Sequence, residues 1–296
     1  MPTVIRYRWR YYDEARRRYF VTRYHCTEEQ ICVEHADATP VEATRQSLDL
    51  TEHWLANSTG VFLRPPSDDN SEMCGLYAMF GPSSRHREYF AVDVWPEFPE
   101  RYKIPPASLA PIIRQAPDGR RVADLLRWGL IPHWAKDETI ARKLINARGE
   151  TVADKPSFRS AYRRRRCIVP ASGFYEWQAV PGQNWKQPYY FTTTSGESMA
   201  MGGLWESWTN PDGELIRTYC IITAQANALM APIHDRMPVI LPRDTWTTWL
   251  DPATDSALIA PLLVPADTST MTAWPVSREV SSRSDDGPAT VARIEQ

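Results

Sequence analysis

Four side chains able to do chemistry stand in separate short motifs of this 296-residue chain: a thiol, a carboxylate, an imidazole and a carboxamide. Cys74 lies between Met73 and Gly75, and Glu176 between Tyr175 and Trp177. His234 precedes Asp235-Arg236, and Asn146 is followed two residues later by Arg148. Each type has a plain reading beside the chemical one. A lone cysteine is most often a small buried hydrophobe, although its thiolate is a strong nucleophile. A strand carboxylate is usually solvated; aromatic flanks would strip its water, favour its protonated form and fit it to move protons. A histidine after Pro-Ile is commonly a packed or loop residue, yet imidazole is the side chain that changes charge near neutrality. Asparagine is frequent in turns, and its amide both donates and accepts. Residues two apart on a strand share a face, so Arg148 would accompany Asn146, and Arg236 would accompany His234. Arginines so placed would hold phosphates.

Composition narrows the setting. The net charge of −2 gives no global signal for nucleic acid, so a binding surface needs local segregation, as in Tyr162-Arg163-Arg164-Arg165-Arg166. Such a run is more often a solvated face. Twelve Trp and 25 Pro favour an aromatic-rich fold with irregular connections over a helical bundle. The five cysteines (Cys26, Cys32, Cys74, Cys167 and Cys220) are odd in number and irregularly spaced. No apolar leader core opens the chain and no run is long enough to span a membrane. A reduced, cytosolic protein with free thiols and no membrane association is expected. His25, Cys26, Cys32 and His35 invite a zinc reading, but a C-x5-C spacing fits no standard structural site, so no metal or cofactor is expected.

The elements that must position these groups are mostly strands. Two aromatic, partly alternating runs, Val4–Tyr12 and Arg18–Tyr24, predict a hairpin, and the Thr27–Gln30 capping box predicts a helix to about Ala38. Residues 1–48 thus read as a small β-β-α module, residues 49–72 as a Pro-punctuated linker, and 281–296 as a mobile polar tail. Between them, 73–280 carries short strand candidates at Tyr77–Phe80, Leu125–Trp134, Arg166–Pro170, Gly173–Trp177, Tyr189–Thr192, Met199–Trp205 and Tyr219–Thr223, with a short helix at Thr245–Leu250. Many strands and few helices predict an α+β fold with an antiparallel, barrel-like sheet. The order is neither βαβ nor repetitive, which sets aside a Rossmann fold and a solenoid.

The blocks Met73-Cys74-Gly75-Leu76-Tyr77, Leu144–Thr151 (LINARGET), Gly173-Phe174-Tyr175-Glu176-Trp177 and Ile233–Pro238 (IHDRMP) occur in that order. Together they resemble the SOS response-associated peptidase (SRAP) family of abasic-site processing proteins, over roughly 200 residues. Tyr102–Pro106 resembles a further segment of that family, as does Trp274–Val280. The resemblance implies that Cys74, freed as an N-terminal residue, captures the aldehyde of an abasic site in single-stranded DNA as a thiazolidine crosslink. It implies Asn146, Glu176 and His234 as its catalytic partners, and Arg148, Arg236, Trp128, Trp134 and Pro106 as DNA contacts. It further implies strand-incising lyase chemistry, peptidase-type self-cleavage, and a monomer working at the replication fork, cytoplasmic and nucleoid-associated. Two features differ from the family. Leu76 stands where an arginine is usual, and 72 residues precede the Met73-Cys74 pair, whereas the family's cysteine follows its initiator methionine. Two other readings remain open. One is a thiol peptidase built on Cys74, His234 and Glu176; the other is a non-catalytic single-strand-binding module.

Overall fold

The computed structural model describes residues 3–13, 18–21, 39–49, 75–282 and 286–295. Strands β1 (Thr3–Asp13), β2 (Arg18–Val21) and β3 (Thr39–Asp49) form an antiparallel sheet in the order β2-β1-β3. The β1–β2 hairpin follows from the two aromatic runs, with Tyr11 opposite Phe20. Strand β3 is an addition to the expected module. Its sequence alternates poorly, and it is defined by pairing along β1, with Val4 opposite Leu48. The helix expected at Thr27–Ala38, the His25/Cys26/Cys32/His35 quartet, the linker from residue 50 onward and Cys74 itself lie outside the described residues.

From Gly75 the chain runs through β4 (Tyr77–Met79), α1 (Ser83–Phe90), β5 (Arg101–Ile104), β6 (Leu109–Gln115), β7 (Arg121–Trp128) and β8 (Asn146–Arg148). Then come α2 (Arg159–Arg164), β9 (Arg166–Ala171), β10 (Gly173–Ala179), β11 (Lys186–Thr193), β12 (Met199–Thr209), β13 (Leu215–Gln225) and β14 (Arg236–Pro238). Short helices α3 (Trp246–Leu250) and α4 (Ser256–Ile259) precede the last strand, β15 (Met271–Pro275).

Strands β12, β9, β6, β7 and β13 are neighbours in that order, and β13 pairs again with β12. The ring closes into a five-stranded barrel, which removes the free edges an open sheet would present. Its pairings are antiparallel except for β13 with β7. A second sheet, β15-β11-β10-β4-β5, packs against it. Apolar residues from both fill the interface. Tyr77 from β4 shares a 2.7 Å hydroxyl–hydroxyl hydrogen bond with Tyr219 from β13, and the Trp128 ring meets Tyr77 edge-on at 5.2 Å. Each such fully buried aromatic contributes on the order of 3 kcal/mol of apolar transfer free energy. This is the predicted α+β architecture. Among the described residues no helix is long and apolar enough to cross a membrane.

Two segments depart from expectation. Arg166, the last of the arginine run, is buried, and its guanidinium donates to the carbonyls of Trp249 (2.7 Å), Tyr162 and Arg163 (2.8 Å each), and Asp251. It closes the ends of α2 and α3 and is absent from any basic groove. Residues 286–295, expected to be mobile, fold back on the second sheet. Asp286 accepts from the backbone amides of Tyr102 and Lys103, the Trp274 indole donates to the Val291 carbonyl (2.8 Å), and Thr290 is buried against Tyr175. Sequence polarity misled here because these groups are bonded to one another and to backbone, not to water.

The chain crosses from barrel to second sheet at a single residue, Ser172, between β9 and β10. Gly173, the first residue of the Gly-Phe-Tyr-Glu-Trp block, is required there. A Cβ would sit 2.3 Å from the Phe191 carbonyl oxygen and 2.4 Å from the Tyr190 ring. Gly173→Ala is therefore expected to cost at least ~3 kcal/mol of stability. Urea melts decide the matter; a loss below about 1 kcal/mol would mean that β10 is not seated this tightly.

Candidate functional site

Glu176 stands on β10, the central strand of the second sheet, and is only 4% exposed. Alternation along the strand decides what surrounds it. Tyr175 packs outward with Leu76, Ala78, Tyr190, Val276 and Val280, and Trp177 joins the same cluster. Phe174 turns the other way and stacks on Phe191 at 5.0 Å in the barrel-side core. Glu176 shares the face of Phe174 and Gln178. Its flanking aromatics therefore point away from it, contrary to expectation, and its burial comes from the packing of the two sheets.

The same strand pairs with β4, the first strand after Cys74 in the sequence. Gly173 pairs with Ala78 and Phe174 with Tyr77, and the Tyr175 amide donates to the Leu76 carbonyl at 3.0 Å. That contact brings the two stretches together one residue before Glu176 on β10 and two residues after Cys74 in the facing segment. Leu76 sits in the outer apolar cluster, 9% exposed, so the usual arginine position is here a core contact. Gln178, two residues beyond Glu176 on the same face, donates from Nε2 to the Pro232 carbonyl at 3.0 Å and so ties the turn carrying His234 to β10.

The remaining motifs meet around the C-terminal half of β13. Strand β8 runs parallel to it, with Asn146 opposite Ile221 and Arg148 opposite Thr223; β14 pairs antiparallel on the other edge, with Arg236 opposite Gln225 and Pro238 opposite Thr223. Ala147 is buried in the core between a half-buried Asn146 and an exposed Arg148, so the last two do share a face, as their spacing predicts. His234 is different. It lies in the turn before β14, 18% exposed, and its Nδ1 accepts from the Arg236 amide at 3.2 Å with Asp235 Oδ1 at 3.0 Å. Strand alternation does not relate His234 to Arg236.

Arg236 is also placed differently from an exposed phosphate contact. Its side chain is 6% exposed, donates to both carboxylate oxygens of Glu150, and reaches the Thr223 carbonyl at 2.9 Å and hydroxyl at 3.2 Å. The pair ties the Asn-Ala-Arg-Gly-Glu block to the His-Asp-Arg block, and Arg236 holds the Glu150 carboxyl below the usual carboxylate range. Glu150 and Gln178 were missed in the sequence. The available signal for Glu150 was an unassigned acid in one motif block and an arginine in another that could be its counter-charge.

Trp128 is a correction. It is 1% exposed, donates its indole N–H to the Ile145 carbonyl at 2.9 Å, and lies in the core where no base can reach it. Trp134, in contrast, is half exposed and borders a surface cleft of about 280 Å3 with Lys136, Thr139, Ile140 and Lys143. Pro106, half-buried, lies in the turn from β5 to β6, where the next residue, Ala107, takes a left-handed φ of 68° and bonds to the Trp128 carbonyl at 2.8 Å. Burial pushes the Cys167 and Cys220 thiols far up, so neither is a nucleophile at neutral pH. Among the described residues no three His, Cys, Asp or Glu side chains gather as a metal site.

The Glu150–Arg236 pair makes an acid-limb prediction. A carboxyl lowered on folding stabilises above its unfolded value of about 4.3, and that contribution is lost as pH falls through the depressed native value. Because Glu150 is 48% exposed, solvent screening limits the effect to about 1 kcal/mol. Parent and Glu150→Gln should differ in urea midpoint at pH 7, and the gap should shrink as pH falls from about 4.3 through the depressed native value. A gap that stays constant down the whole acid limb would mean that the carboxylate's charge is irrelevant.

Comparison with known proteins places these motifs. Residues 73–283 match the family described as SOS response associated peptidase (SRAP). The chain is 40% identical over 221 residues to the abasic site processing protein YoqW of Bacillus subtilis, covering 73% of this chain and 97% of that one. It is 31% identical over 230 residues to abasic site processing protein HMCES of Rattus norvegicus, covering 64% of each. A crystal structure of a Bacteroides thetaiotaomicron protein superposes with a TM-score of 0.67 at 31% identity, covering 75% of this chain and all of that one. One from Bordetella bronchiseptica gives 0.61 at 30% identity, covering 69% and all.

Proposed function

The chain belongs to the SOS response-associated peptidase (SRAP) family, and from that premise we propose that it processes abasic sites in single-stranded DNA by covalent capture through Cys74. The observation that supports this reading is the β4–β10 register, in which the strand carrying the buried Glu176 bonds through the Tyr175 amide to Leu76, two residues after Cys74 in the chain. Gln178 holds the His234 turn to the same strand.

The chemistry follows from the groups. An abasic sugar exposes an aldehyde at C1′ once its ring oxygen is protonated and the hemiacetal opens. A free α-amine on Cys74 adds to that carbon and water leaves, giving an imine. The thiol then adds across C=N, its proton passing to nitrogen, and closes a five-membered thiazolidine. His234 supplies the proton for ring opening, and Glu176 moves protons during loss of water and ring closure. Asn146 orients the amine or the deoxyribose hydroxyls with an amide that donates and accepts. Arg148, exposed on the Asn146 face, holds a phosphate, and Trp134 offers an exposed ring on which a base can stack.

A denaturing gel tests the reading. A chain starting at Cys74, incubated with abasic single-stranded DNA, should give a shifted band that survives boiling in detergent. Cys74→Ala should give none, and a full-strength stable band from that variant refutes the thiol's role. Peptide turnover without a band points to the thiol peptidase, and salt-sensitive binding with neither points to a passive module. Arg148→Ala should weaken binding to undamaged and abasic strands alike and flatten the salt dependence by about 0.7 in log–log slope. An unchanged slope removes Arg148 from the phosphate contacts.

A further inference from the structure

We infer that Glu150 is a positioning residue for His234, acting through Arg236 to keep the neutral imidazole's proton on Nε2. The inference rests on the abasic-site reading only for the use to which that proton is put. The guanidinium of Arg236 donates to both oxygens of Glu150 and to the carbonyl and hydroxyl of Thr223, and its backbone pairs with Gln225. A residue held at both side chain and backbone presents its amide in one direction. That amide N–H points at Nδ1 of His234, 3.2 Å away. A ring nitrogen that accepts a hydrogen bond carries no proton, so the neutral ring keeps its proton on Nε2.

Asp235 pulls the other way, since its Oδ1 lies 3.0 Å from the same Nδ1 and would bind a proton there. Burial decides between them. The Asp235 side chain is 82% exposed and keeps its water, so its hold on Nδ1 is weak. The Arg236 amide belongs to a residue only 5% exposed and has no water to fall back on. Protonating Nδ1 would set two N–H groups face to face and strand the buried one. Glu150 underlies the arrangement because it is the counter-charge that keeps a buried guanidinium in place. With Nδ1 occupied from behind, Nε2–H is the donor left to hydrogen-bond a sugar ring oxygen and polarise its bond to C1′ as the ring opens.

The test reads the ring directly. Histidines of the full chain are labelled with 15N, and the six His signals are sorted with a His234→Gln control. In the parent protein at neutral pH, His234 Nδ1 should show the shift of an acceptor nitrogen and Nε2 that of a protonated one. Glu150→Gln, which keeps volume but removes charge, should move both toward a mixture, and Glu150→Asp should restore much of the parent pattern. In the chain starting at Cys74, Glu150→Gln should slow crosslinking about tenfold with affinity for undamaged strands within twofold. A parent ring protonated on Nδ1, a Glu150→Gln ring identical to the parent's, or an altered ring with an unchanged rate overturns the inference. If the parent forms no crosslink at all, the abasic-site reading fails while the 15N pattern still decides the role of Glu150.

Discussion

The full 296-residue chain is expected to form no boiling-resistant adduct with abasic single-stranded DNA, whereas the chain beginning at Cys74 forms one readily. The difference is all or none because it lies in peptide-bond electronics. With residues 1–73 attached, the Cys74 nitrogen is an amide whose lone pair is delocalised into the Met73 carbonyl. It cannot add to an aldehyde, and the thiol alone gives only a reversible hemithioacetal. Freed, the α-amine has a pKa of about 7.7–8.0 against about 10.4 for lysine, so some 300-fold more of it is unprotonated at neutral pH. The sulfur beside it makes capture durable. Cys74→Ser would close only the less favourable oxazolidine and should lose the lasting adduct. Two routes expose the amine: translation from Met73 followed by methionine removal, or cleavage of the Met73–Cys74 bond, for which the Cys74 thiol, Glu176 and His234 are the available groups. A stretch amounting to 73% of this chain matches 97% of the abasic site processing protein YoqW. Intact-mass measurement with and without Glu176→Ala separates the routes, since only bond cleavage depends on that carboxylate. An unprocessed chain that still forms a stable adduct through Cys74 sinks the aminothiol mechanism.

The fold was legible where local pattern and tertiary role coincide. Runs such as Arg166–Pro170, Gly173–Trp177 and Tyr219–Thr223 are strands because β-branched and aromatic residues on both faces leave them nowhere to go but between two packed layers. A barrel-like sheet was legible from the number of short strands, but which strands meet to close it was not. Closure depends on β13 meeting β12 and β7 at once, a pairing between distant segments that no window of residues encodes. The C-terminal residues were misread because their polar groups are spent on Tyr102, Lys103 and Trp274. In the site, the type and order of Asn146, Glu176 and His234 were readable, but their surroundings were not. Trp128 has the composition of a stacking residue and the address of a core one. Arg236 has the charge of a phosphate contact and the bonds of a structural brace. Composition names what a side chain can do; burial decides what it is free to do.

Glu176→Gln and His234→Ala should each slow crosslink formation by about 10²–10⁴-fold while leaving affinity for undamaged single strands within twofold. Glu176 is 4% exposed and the His234 side chain 18%, so removing them subtracts proton transfer and little binding surface. Glu176→Gln is the cleaner of the two. It keeps volume and hydrogen-bonding capacity on a strand whose register is fixed by its neighbours on both sides, and it abolishes the carboxyl's ability to take up and release a proton. His234→Ala removes the donor for ring opening, so its defect should shrink on a substrate that presents an open aldehyde from the outset. The Glu176 defect should persist there, because imine formation and ring closure follow the step that substrate bypasses. The double variant should be no slower than about the worse single one if the two groups serve one proton path, and slower by the product if they serve successive steps independently. Single-turnover rates on the two substrates, with binding measured separately on undamaged DNA, resolve these cases. Parental rates in both single variants would remove Glu176 and His234 from the chemistry and leave Cys74 to act alone.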